Sequence, residues 1–329
     1  MKNHEIERIG VLTSGGDAPG MNACIRAVVR ACIYHDVRPF GIREGYRGLI
    51  ENDIFEMDAG SVRHIIHQGG TVLKSARCKA FKTKEGRQRA FKHVKSNKLD
   101  ALVMIGGDGT FEGALAFNTE FDVPLVGIPG TIDNDISGTD FTIGFDTATN
   151  TVVEAVDKIR DTATSHNRLF FIEVMGRDAG DIALNSGIAA GSEEILIPEE
   201  DMGIERLFES LDRSSKRNKT SRIVIVAEGD TTGNVYDLAD KVTQRFDGFY
   251  ETKVTILGHV QRGGRPTCAD RVLASRLGVS AVEALLRDKR NVMLGIKNGD
   301  IVYTALEQAT KQHATINQEL LHVADVVSI

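Results

Sequence analysis

The stretch from Ala101 to Asp135 constrains the fold most strongly, because it holds two short apolar runs that each open into a polar, glycine-containing loop. The runs cover Leu102–Ile105 and Pro124–Ile128. Continuous apolar runs too short for a helix and bounded by turn residues predict strands buried on both faces of a parallel sheet. In such a sheet, ligands bind beyond the carboxyl ends of the strands. We therefore expect both loops to lie on one functional edge.

The two loops combine glycines with acids. They read GGDGT over residues 106–110 and PGTIDND over residues 129–135. Glycine lets the backbone approach a phosphate closely and offers N–H donors without a Cβ in the way. A carboxylate can bind a metal ion or accept a proton. The combination indicates Mg²⁺-assisted phosphoryl transfer.

A third glycine-rich loop lies near the start of the chain. Ile9–Leu12 is a predicted strand, TSGGDAPG follows it, and apolar residues at helical spacing predict a helix from Met21 to about Cys32. A strand, a glycine-rich turn and a helix together form an anion cradle at the helix N-terminus. The opposite helix face carries Asn22, Arg26 and Arg30. This face is either a solvated polar stripe or a second anion site at a subunit surface.

Strands and helices alternate along the rest of the chain, which indicates an α/β fold in layers. The further predicted strands are Val37–Ile42, Leu169–Val174, Ile195–Ile197, Ile223–Ala227 and Val254–Leu257. The further predicted helices are Ser61–Arg77, a surface helix within residues 79–98, Thr147–Arg160, Ala179–Ala190 and Asp270–Leu286. A length of 329 residues predicts about two domains. No repeat or linker composition marks a boundary between them.

Composition excludes several classes of protein. A net charge of −6 argues against a nucleic-acid-binding surface and requires that an anionic ligand be held by locally clustered Arg and Lys. The four cysteines are scattered without a C-x-x-C pair, which predicts reduced thiols rather than disulfides or zinc ligands. No secretory leader or long apolar run is evident. We therefore expect a soluble cytoplasmic enzyme without a membrane partner.

Three familiar sites are disfavoured. The chain contains no G-x-x-x-x-G-K-[ST], so a P-loop is excluded. Gly107, Gly109 and Gly113 are spaced one residue too wide for the G-x-G-x-x-G dinucleotide pattern. Neither H-E-x-x-H nor a His/Cys cluster indicates zinc.

The remaining motifs carry a specific family resemblance. GGDGT alone occurs in several small-molecule kinases, NAD kinases and lipid kinases among them, but GTIDND is far more specific. With LTSGGDAPGMNA, HNR at 166–168, VMGRDAG and GHVQRGG, the set resembles the 6-phosphofructokinase family over residues of about 9 to 300. The resemblance implies transfer of the ATP γ-phosphate to the 1-hydroxyl of D-fructose 6-phosphate. The products are fructose 1,6-bisphosphate and ADP, and the reaction is the committed step of glycolysis.

The resemblance also implies an architecture. It is an α/β homotetramer whose subunit has two similar Rossmann-like three-layer domains with mostly parallel sheets and the active site in the cleft between them. The expected larger, ATP-binding domain covers residues 1–143 and 260–309. The expected smaller, fructose-6-phosphate-binding domain covers residues 144–259 and 310–329.

The resemblance also implies a role for each matching residue. Asp133 resembles the acid that takes the proton from the sugar hydroxyl, Thr131 lies beside that hydroxyl, and Asp108 resembles the Mg²⁺-linked carboxylate. Arg77 is expected to stabilise charge on the transferring phosphoryl, and Arg177 joins the catalytic group. The ATP-binding positions are Gly16, Arg77, Cys78, Gly107, Asp108, Gly109 and Thr110. The sugar-phosphate positions are Thr131, Ile132, Asp133, Arg168 (from a neighbouring subunit), Met175, Gly176, Arg177, Glu228, Lys253, His259, Val260, Gln261 and Arg262.

Structural roles are the alternatives to these assignments. Asp133 and Asp135 could cap the next helix, and Asp108 could be a turn residue. Glu228 could be an ordinary exposed acid, and His259 a satisfied interior histidine. Cys78 is expected to contribute backbone and bulk, since nothing in the sequence nearby argues for a reactive thiolate.

Two glycines bear on the phosphoryl donor. Pyrophosphate-dependent members of the family resemble GGDD and PKTIDND, in which an acid fills the space of the adenosine half and a lysine holds pyrophosphate. This chain has Gly109 and Gly130 at those positions. ATP is therefore the expected donor, with a pyrophosphate-dependent enzyme as the alternative.

An effector pocket for ADP or phosphoenolpyruvate is expected only in part. The matching positions are Arg26, Arg30, Arg160, Gly191, Ser192, Glu193 and Lys219. The chain departs from the family pattern at Ala59, His64 and Thr220-Ser221, and elsewhere at Lys74, where glycine is common, and Lys253, where arginine is usual. Lysine lacks the bidentate fork of arginine, so phosphate binding there would be looser.

The sequence supports two other classes of function less well. A non-catalytic sugar-phosphate sensor would not need both Asp108 and Asp133. A kinase of the NAD-kinase kind would share GGDGT but has no reason to carry GTIDND or GHVQRGG.

Overall fold

The computed structural model describes residues 6–163, 168–200, 203–215, 222–231, 233–310 and 315–328. The strands are β1 (Arg8–Thr13), β2 (Arg38–Ile42), β3 (Ile54–Glu56), β4 (Ala101–Gly106), β5 (Leu125–Pro129), β6 (Arg168–Val174), β7 (Glu194–Leu196), β8 (Arg222–Ala227), β9 (Glu251–Ile256), β10 (Val292–Lys297) and β11 (Asp300–Ala305). The helices are α1 (Met21–Tyr34), α2 (Tyr46–Glu51), α3 (Lys84–Ser96), α4 (Asp108–Phe121), α5 (Phe145–Ala163), α6 (Asp181–Ala190), α7 (Gly203–Ser215), α8 (Val235–Arg245), α9 (Cys268–Leu286), α10 (Leu306–Ala309) and α11 (Gln318–Val327).

The chain forms two structural units. The larger comprises Met1–Ile132, Ile136–Thr147 and Arg262–Ala314, and the smaller comprises Asp133–Asp135, Ala148–Gln261 and Thr315–Ile329. The chain therefore returns to the larger unit after completing most of the smaller one.

The larger unit is built on a seven-stranded sheet in the order β11-β10-β5-β4-β1-β2-β3. The five inner strands are parallel, and the two edge strands β3 and β11 are antiparallel to their neighbours. All six residues of β4 are buried, which fits a central strand covered on both faces. The predicted buried strands in residues 101–135 are thus confirmed.

The smaller unit contains a four-stranded sheet in the order β7-β8-β6-β9, parallel throughout. Its core includes Phe171, Val224, Leu207 and Leu238. Together the two sheets confirm the predicted α/β class with mostly parallel strands.

The helix predicted over Ser61–Arg77 is wrong. This segment forms turns, and His64, Gly70 and Lys74 have left-handed φ values of 60°, 65° and 58°. A helix cannot continue through such residues. Lys74, where glycine is common in the family, is therefore placed in a backbone region that favours glycine.

Helix α1 agrees with its predicted apolar face, because Cys24 and Cys32 are completely buried. Its polar face is different from the prediction. Asn22 is only 1% exposed, whereas Arg26 is half-buried and Arg30 is exposed. The prediction of a solvated polar stripe that starts at Asn22 is therefore wrong.

Candidate active site

The GGDGT loop connects β4 directly to α4. Asp108 is the first residue of this helix, and Gly107 precedes it in an extended conformation. The N-terminus of a helix presents unpaired N–H groups and a partial positive charge, both of which favour a phosphate. Asp108 is half-buried and begins a helix, so it is not merely a turn residue.

The first glycine-rich loop lies against GGDGT. The Thr110 hydroxyl donates to the carbonyl of Ser14 at 3.2 Å, and the Ser14 N–H donates to the carbonyl of Ile105 at 3.0 Å. These bonds join the carboxyl ends of β1 and β4. Gly16, in the same loop, is exposed. The two predicted anion-binding loops therefore form one surface.

The GTIDND loop lies on the other side of GGDGT. The parallel register pairs Gly106 with Pro129, and the Gly130 N–H donates to the Gly106 carbonyl at 3.0 Å. A Cβ on Gly107 would lie 3.6 Å from Cβ of Thr131. The predicted placement of both acid-bearing loops on one sheet edge is confirmed.

Thr131, Ile132 and Asp133 are all buried, at 8%, 0% and 8% exposure. The next helix begins only at Phe145, so neither Asp133 nor Asp135 caps it. The capping alternative is therefore wrong. A buried, polar loop at the end of a strand is typical of a site that receives a ligand rather than of a surface turn.

Arg262, predicted to contact the sugar phosphate, lies against the first glycine-rich loop. One of its guanidinium nitrogens would be 2.7 Å from a Cβ on Gly16, and the same nitrogen donates to the Asp17 carbonyl at 3.4 Å. Any side chain at position 16 would have to displace this guanidinium. The structure thus groups Arg262 with residues assigned to ATP.

The segment leading to Arg77 and Cys78 is anchored by Asn22, which the sequence interpretation missed. Its amide donates to the carbonyls of Gln68 and Gly69 at 3.2 and 3.1 Å and accepts from the Val72 N–H at 2.7 Å. Arg77 is exposed and Cys78 half-buried at the end of this segment. An asparagine among apolar residues at the start of a helix was the available signal.

Several sugar-phosphate positions meet at the carboxyl ends of β6 and β8. The Met175 N–H donates to Gln261 Oε1 at 3.1 Å, and the Arg177 N–H donates to Glu228 Oε1 at 2.8 Å. Gly176, between Met175 and Arg177, has a φ of 150°. Glu228 is therefore more than an ordinary exposed acid, since its carboxylate positions the Arg177 backbone.

His259 and Val260 are exposed in the short helical turn Gly258–Arg262, which also contains the buried Gln261. The interior-histidine alternative for His259 is therefore wrong. An exposed histidine and valine beside a buried glutamine present a polar ring and an apolar surface to solvent.

Arg168 and Lys253 lie away from this group. The β6–β9 register places Arg168 beside Glu251, whose carboxylate accepts from Arg168 Nε at 3.1 Å and from Lys253 Nζ at 2.9 Å. The hydrogen bonds from Lys253 and Arg168 lower the pKa of Glu251 to about 2. Since β6 has seven residues, Arg168 is about 20 Å from Met175 along the strand. One chain cannot bring both ends of β6 to one phosphate.

Comparison with known proteins identifies the family. A model of the family described as phosphofructokinase matches residues 8–285. The chain belongs to the phosphofructokinase family. The chain is 53% identical over 324 residues to ATP-dependent 6-phosphofructokinase 2 of Bacteroides thetaiotaomicron, covering 98% of this chain and 99% of that relative. It is also 53% identical over 324 residues to the ATP-dependent 6-phosphofructokinase of Halalkalibacterium halodurans, covering 98% and 100%.

Solved phosphofructokinases share the fold. The structure from Saccharomyces cerevisiae superposes with a TM-score of 0.88 at 37% identity, covering 98% of this chain and 46% of that one. This chain thus spans about half the length of the yeast chain. A pyrophosphate-dependent phosphofructokinase from Marinobacter aquaeolei superposes with a TM-score of 0.85 at 21% identity, covering 98% and 91%. At that identity the likeness shows the fold alone.

The effector positions matched to this family divide between the two units. Arg26 and Arg30 lie on α1 of the larger unit; burial and the charge of Arg30 lower the pKa of Arg26. Arg160 belongs to the smaller unit and donates to the carbonyls of Ala190 and Gly191 at the end of α6. Lys219 lies outside the described residues.

Gly191, Ser192 and Glu193 connect α6 to β7. Gly191 is exposed and left-handed, with a φ of 60°, while Ser192 and Glu193 are buried. The Ser192 hydroxyl donates to the Gly187 carbonyl at 3.0 Å. This loop is therefore hydrogen-bonded to the end of its own helix.

The residues that could hold a metal ion are few. Among the residues described above, no three His, Cys, Asp or Glu side chains gather into a possible metal site. Mg²⁺ commonly keeps several waters and binds through one or two carboxylates plus substrate phosphates. A single carboxylate at a glycine-flanked helix start, as Asp108 provides, fits this donor set.

Asp181 is an acid near the GTIDND loop that the sequence interpretation did not single out. It lies in the first turn of α6, and its side chain is hydrogen-bonded to Asn134. Burial, together with the charges of Glu199 and Asp135, raises its pKa to about 6, against the lowering effect of Asn134. A carboxyl group with a raised pKa is therefore hydrogen-bonded to Asn134 of the GTIDND loop.

Within the described part of the chain, no helix is both long and apolar enough to cross a bilayer.

Proposed function

We infer that this chain transfers the γ-phosphate of ATP to the 1-hydroxyl of fructose 6-phosphate, giving fructose 1,6-bisphosphate and ADP. The observation that carries the conclusion is the junction of three loops at the carboxyl ends of β1, β4 and β5. It brings an anion cradle, the Asp108 helix start and the GTIDND loop onto one edge. The high identity to bacterial ATP-dependent 6-phosphofructokinases supports ATP over pyrophosphate as the donor.

In phosphoryl transfer the protein aligns the reactants and neutralises charge rather than performing covalent chemistry. We assign Asp133 to the sugar 1-hydroxyl, where its carboxylate orients the hydroxyl and accepts its proton as the new P–O bond forms. Thr131 lies on the same buried loop, two residues before Asp133. Arg77 and Arg177 supply the positive charge that the transferring group needs.

The nucleotide is assigned to the larger unit, on Gly16, Gly107–Thr110, Arg77 and Cys78. Its phosphates would lie at the N-terminus of α4, where N–H groups and the helix dipole favour anions. Asp108 would hold Mg²⁺, which when bound supplies positive charge to the phosphates. Arg262 is predicted to contact the sugar phosphate, and its position against Gly16 supports a role for its guanidinium between the sugar phosphate and the nucleotide phosphates.

The donor preference rests on Gly109 and Gly130. A Cβ on Gly109 would meet nothing within 4 Å, so the loop surface is open there for the nucleotide. A Cβ on Gly130 would lie 3.0 Å from Ile105 and 3.2 Å from Met21. A lysine at position 130, as in pyrophosphate-dependent members, would need these two side chains to shift.

The sugar phosphate is assigned mainly to the smaller unit. The sites are Met175, Gly176, Arg177, Glu228, His259, Val260 and Gln261 together with the GTIDND loop. The separation of roughly 20 Å between Arg168 and Met175 along β6 supports a role for Arg168, and for Lys253 near it, at the site of a neighbouring subunit. We propose a homotetramer with shared sites as the assembly and the cytoplasm as the location of the enzyme.

An effector site for ADP or phosphoenolpyruvate is proposed on Arg26, Arg30, Arg160, Gly191, Ser192, Glu193 and Lys219. The absence of family residues at Ala59 and His64 predicts weak control. If neither compound changes the fructose 6-phosphate saturation curve, this site is not an effector site.

A donor comparison tests the main proposal. Initial rates are measured with fructose 6-phosphate and either Mg-ATP or Mg-pyrophosphate, each with and without ADP, and NAD replaces the sugar as an acceptor control. We expect turnover with ATP alone. Turnover with pyrophosphate but not ATP would overturn the donor assignment, and turnover with NAD would overturn the acceptor assignment.

A further inference from the structure

A buried carboxylate outside the assigned site holds the segment that runs beside the GTIDND loop. Asp270, in the first turn of α9, is 1% exposed. It accepts from the Gly144 N–H at 2.8 Å, from the Thr147 N–H at 2.8 Å and from the Thr147 hydroxyl at 2.5 Å. Burial raises the pKa of Asp270, and these three donors oppose that effect. All of these residues belong to the larger unit.

The segment fixed by Asp270 is bonded in turn to the strand end that carries Thr131. The Ile143 N–H donates to the Pro129 carbonyl at 3.0 Å, and the Thr142 hydroxyl donates to the Thr131 carbonyl at 2.6 Å. A parallel bridge also pairs Gly130 with Ile143. The backbone from residue 129 to 131 is therefore held from one side by residues 142–143.

Steric contacts leave this segment little freedom. Gly144 has a φ of 106°, and a Cβ there would lie 2.7 Å from Ala18 and 3.3 Å from Ile132. A Cβ on Gly20 would lie 2.6 Å from Ile143 and 3.6 Å from Asp270. The segment thus packs between the first glycine-rich loop and the GTIDND loop. At its C-terminal end, Asp270 accepts hydrogen bonds from Gly144 and Thr147.

We propose that Asp270 is a positioning residue that holds residues 142–147 and, through Thr142, sets the place of the Thr131 backbone for phosphoryl transfer. The inference rests on the proposed function. Asp270 touches none of the atoms assigned to substrates, so its removal acts through the loop. Displacement of a reacting group by about 1 Å costs on the order of 100-fold in rate.

Asp270→Asn tests the proposal, because it keeps the shape but replaces one of the two acceptor oxygens by an amide group, which then faces either the Gly144 N–H or the two Thr147 donors. We expect kcat to fall about 30- to 100-fold, with KM for both substrates within about threefold of wild type. Hydrogen exchange of a peptide covering residues 142–147 should quicken at least about tenfold. Rates are measured well below the melting temperature of each variant.

Thr142→Val removes the hydrogen bond to the Thr131 carbonyl and serves if Asp270→Asn does not fold. It should lower kcat without raising either KM. If both residues act through one segment, the double variant should be no more than about threefold slower than the slower single variant. Asn234→Ala, which removes the N-cap of α8 in the smaller unit, is the matched control and should keep kcat.

Different failures are distinguishable. Three results would each overturn the positioning role. The first is a folded Asp270→Asn protein whose kcat is within about threefold of wild type, and the second is a change confined to KM. The third is a double variant in which the effects of the two single variants multiply. Failure of the wild-type protein to phosphorylate fructose 6-phosphate would overturn the proposed function. The hydrogen-exchange measurement needs no turnover, so it reports on how firmly Asp270 holds residues 142–147 whether or not the protein phosphorylates fructose 6-phosphate.

Discussion

Replacing Asp181 by asparagine should stabilise the protein at neutral pH, because the folded structure disfavours the charged form of this carboxyl group. Its pKa is raised from 3.8 to about 6. The folded state therefore binds more protons than the unfolded state between these values, and stability falls as pH rises through that window. Above pH 6, the folded state carries the full free-energy cost of ionising Asp181. Below pH 3.8 both states are protonated and the cost disappears.

The magnitude follows from the size of the shift. About two pKa units correspond to roughly 3 kcal/mol as an upper limit. Asp181 is half-buried and hydrogen-bonded to Asn134, and asparagine changes that bond, so we expect a gain of about 1–2 kcal/mol at pH 7.5. In a unit of this size the gain raises the melting temperature by about 2–8 °C.

The assay is urea unfolding of wild type and Asp181→Asn at pH 7.5, 5 and 3.5, followed by circular dichroism. As the pH falls, the difference in free energy of unfolding should become steadily less favourable to Asp181→Asn, because the cost of ionising Asp181 disappears. Glu209→Gln, an exposed change on α7, is the control and should show no trend with pH. A difference that is independent of pH, or a less stable Asp181→Asn at pH 7.5, would refute the reasoning.

Four further predictions follow from the site. Asp133→Ser should keep sugar-phosphate binding in calorimetry but lower kcat by at least about 100-fold; turnover within about tenfold of wild type would remove Asp133 from its role. Gly130→Lys should lower kcat/KM for ATP at least about tenfold, since its side chain meets two packed neighbours; an unchanged ATP rate would contradict this. Arg168→Ala and Arg177→Ala should each raise the fructose 6-phosphate concentration for half-saturation about 10-fold or more, and mixed subunits of the two variants should regain activity in rate assays. Activity equal to the sum of the separate variants would refute a shared site. Lys74→Gly should raise stability by about 1 kcal/mol in denaturant unfolding, because position 74 is left-handed, and a loss of stability would show that the lysine side chain contributes more than the strain costs.

Much of the candidate site could be located from the sequence, because its loops are local in sequence. GGDGT and GTIDND each follow a strand, and the carboxyl ends of neighbouring parallel strands meet at one edge. Asp108 and Asp133 could therefore be located from the pattern alone. The family resemblance then named the chemistry.

The prediction failed where local pattern and tertiary contact disagree. Residues 61–77 contain apolar residues at helical spacing, yet three left-handed residues and the bonds from Asn22 hold them as turns. Propensity is a weak preference that a buried amide with three satisfied hydrogen bonds overrides. Asn22 itself was placed on the wrong face for the same reason.

The sequence by itself determined the strand-end loops, the acids on them and the family to which the chain belongs. Only the tertiary structure decided which distant residues hold those loops. Asp270 lies 123 positions from Thr147 and yet accepts a hydrogen bond from its hydroxyl, and Arg262 lies 245 positions from Asp17, to whose carbonyl it donates. Such contacts depend on how the chain returns to the larger unit after the smaller one. Residues that are close in sequence form the motifs, whereas the contacts that hold the loops come from polar groups far apart along the chain.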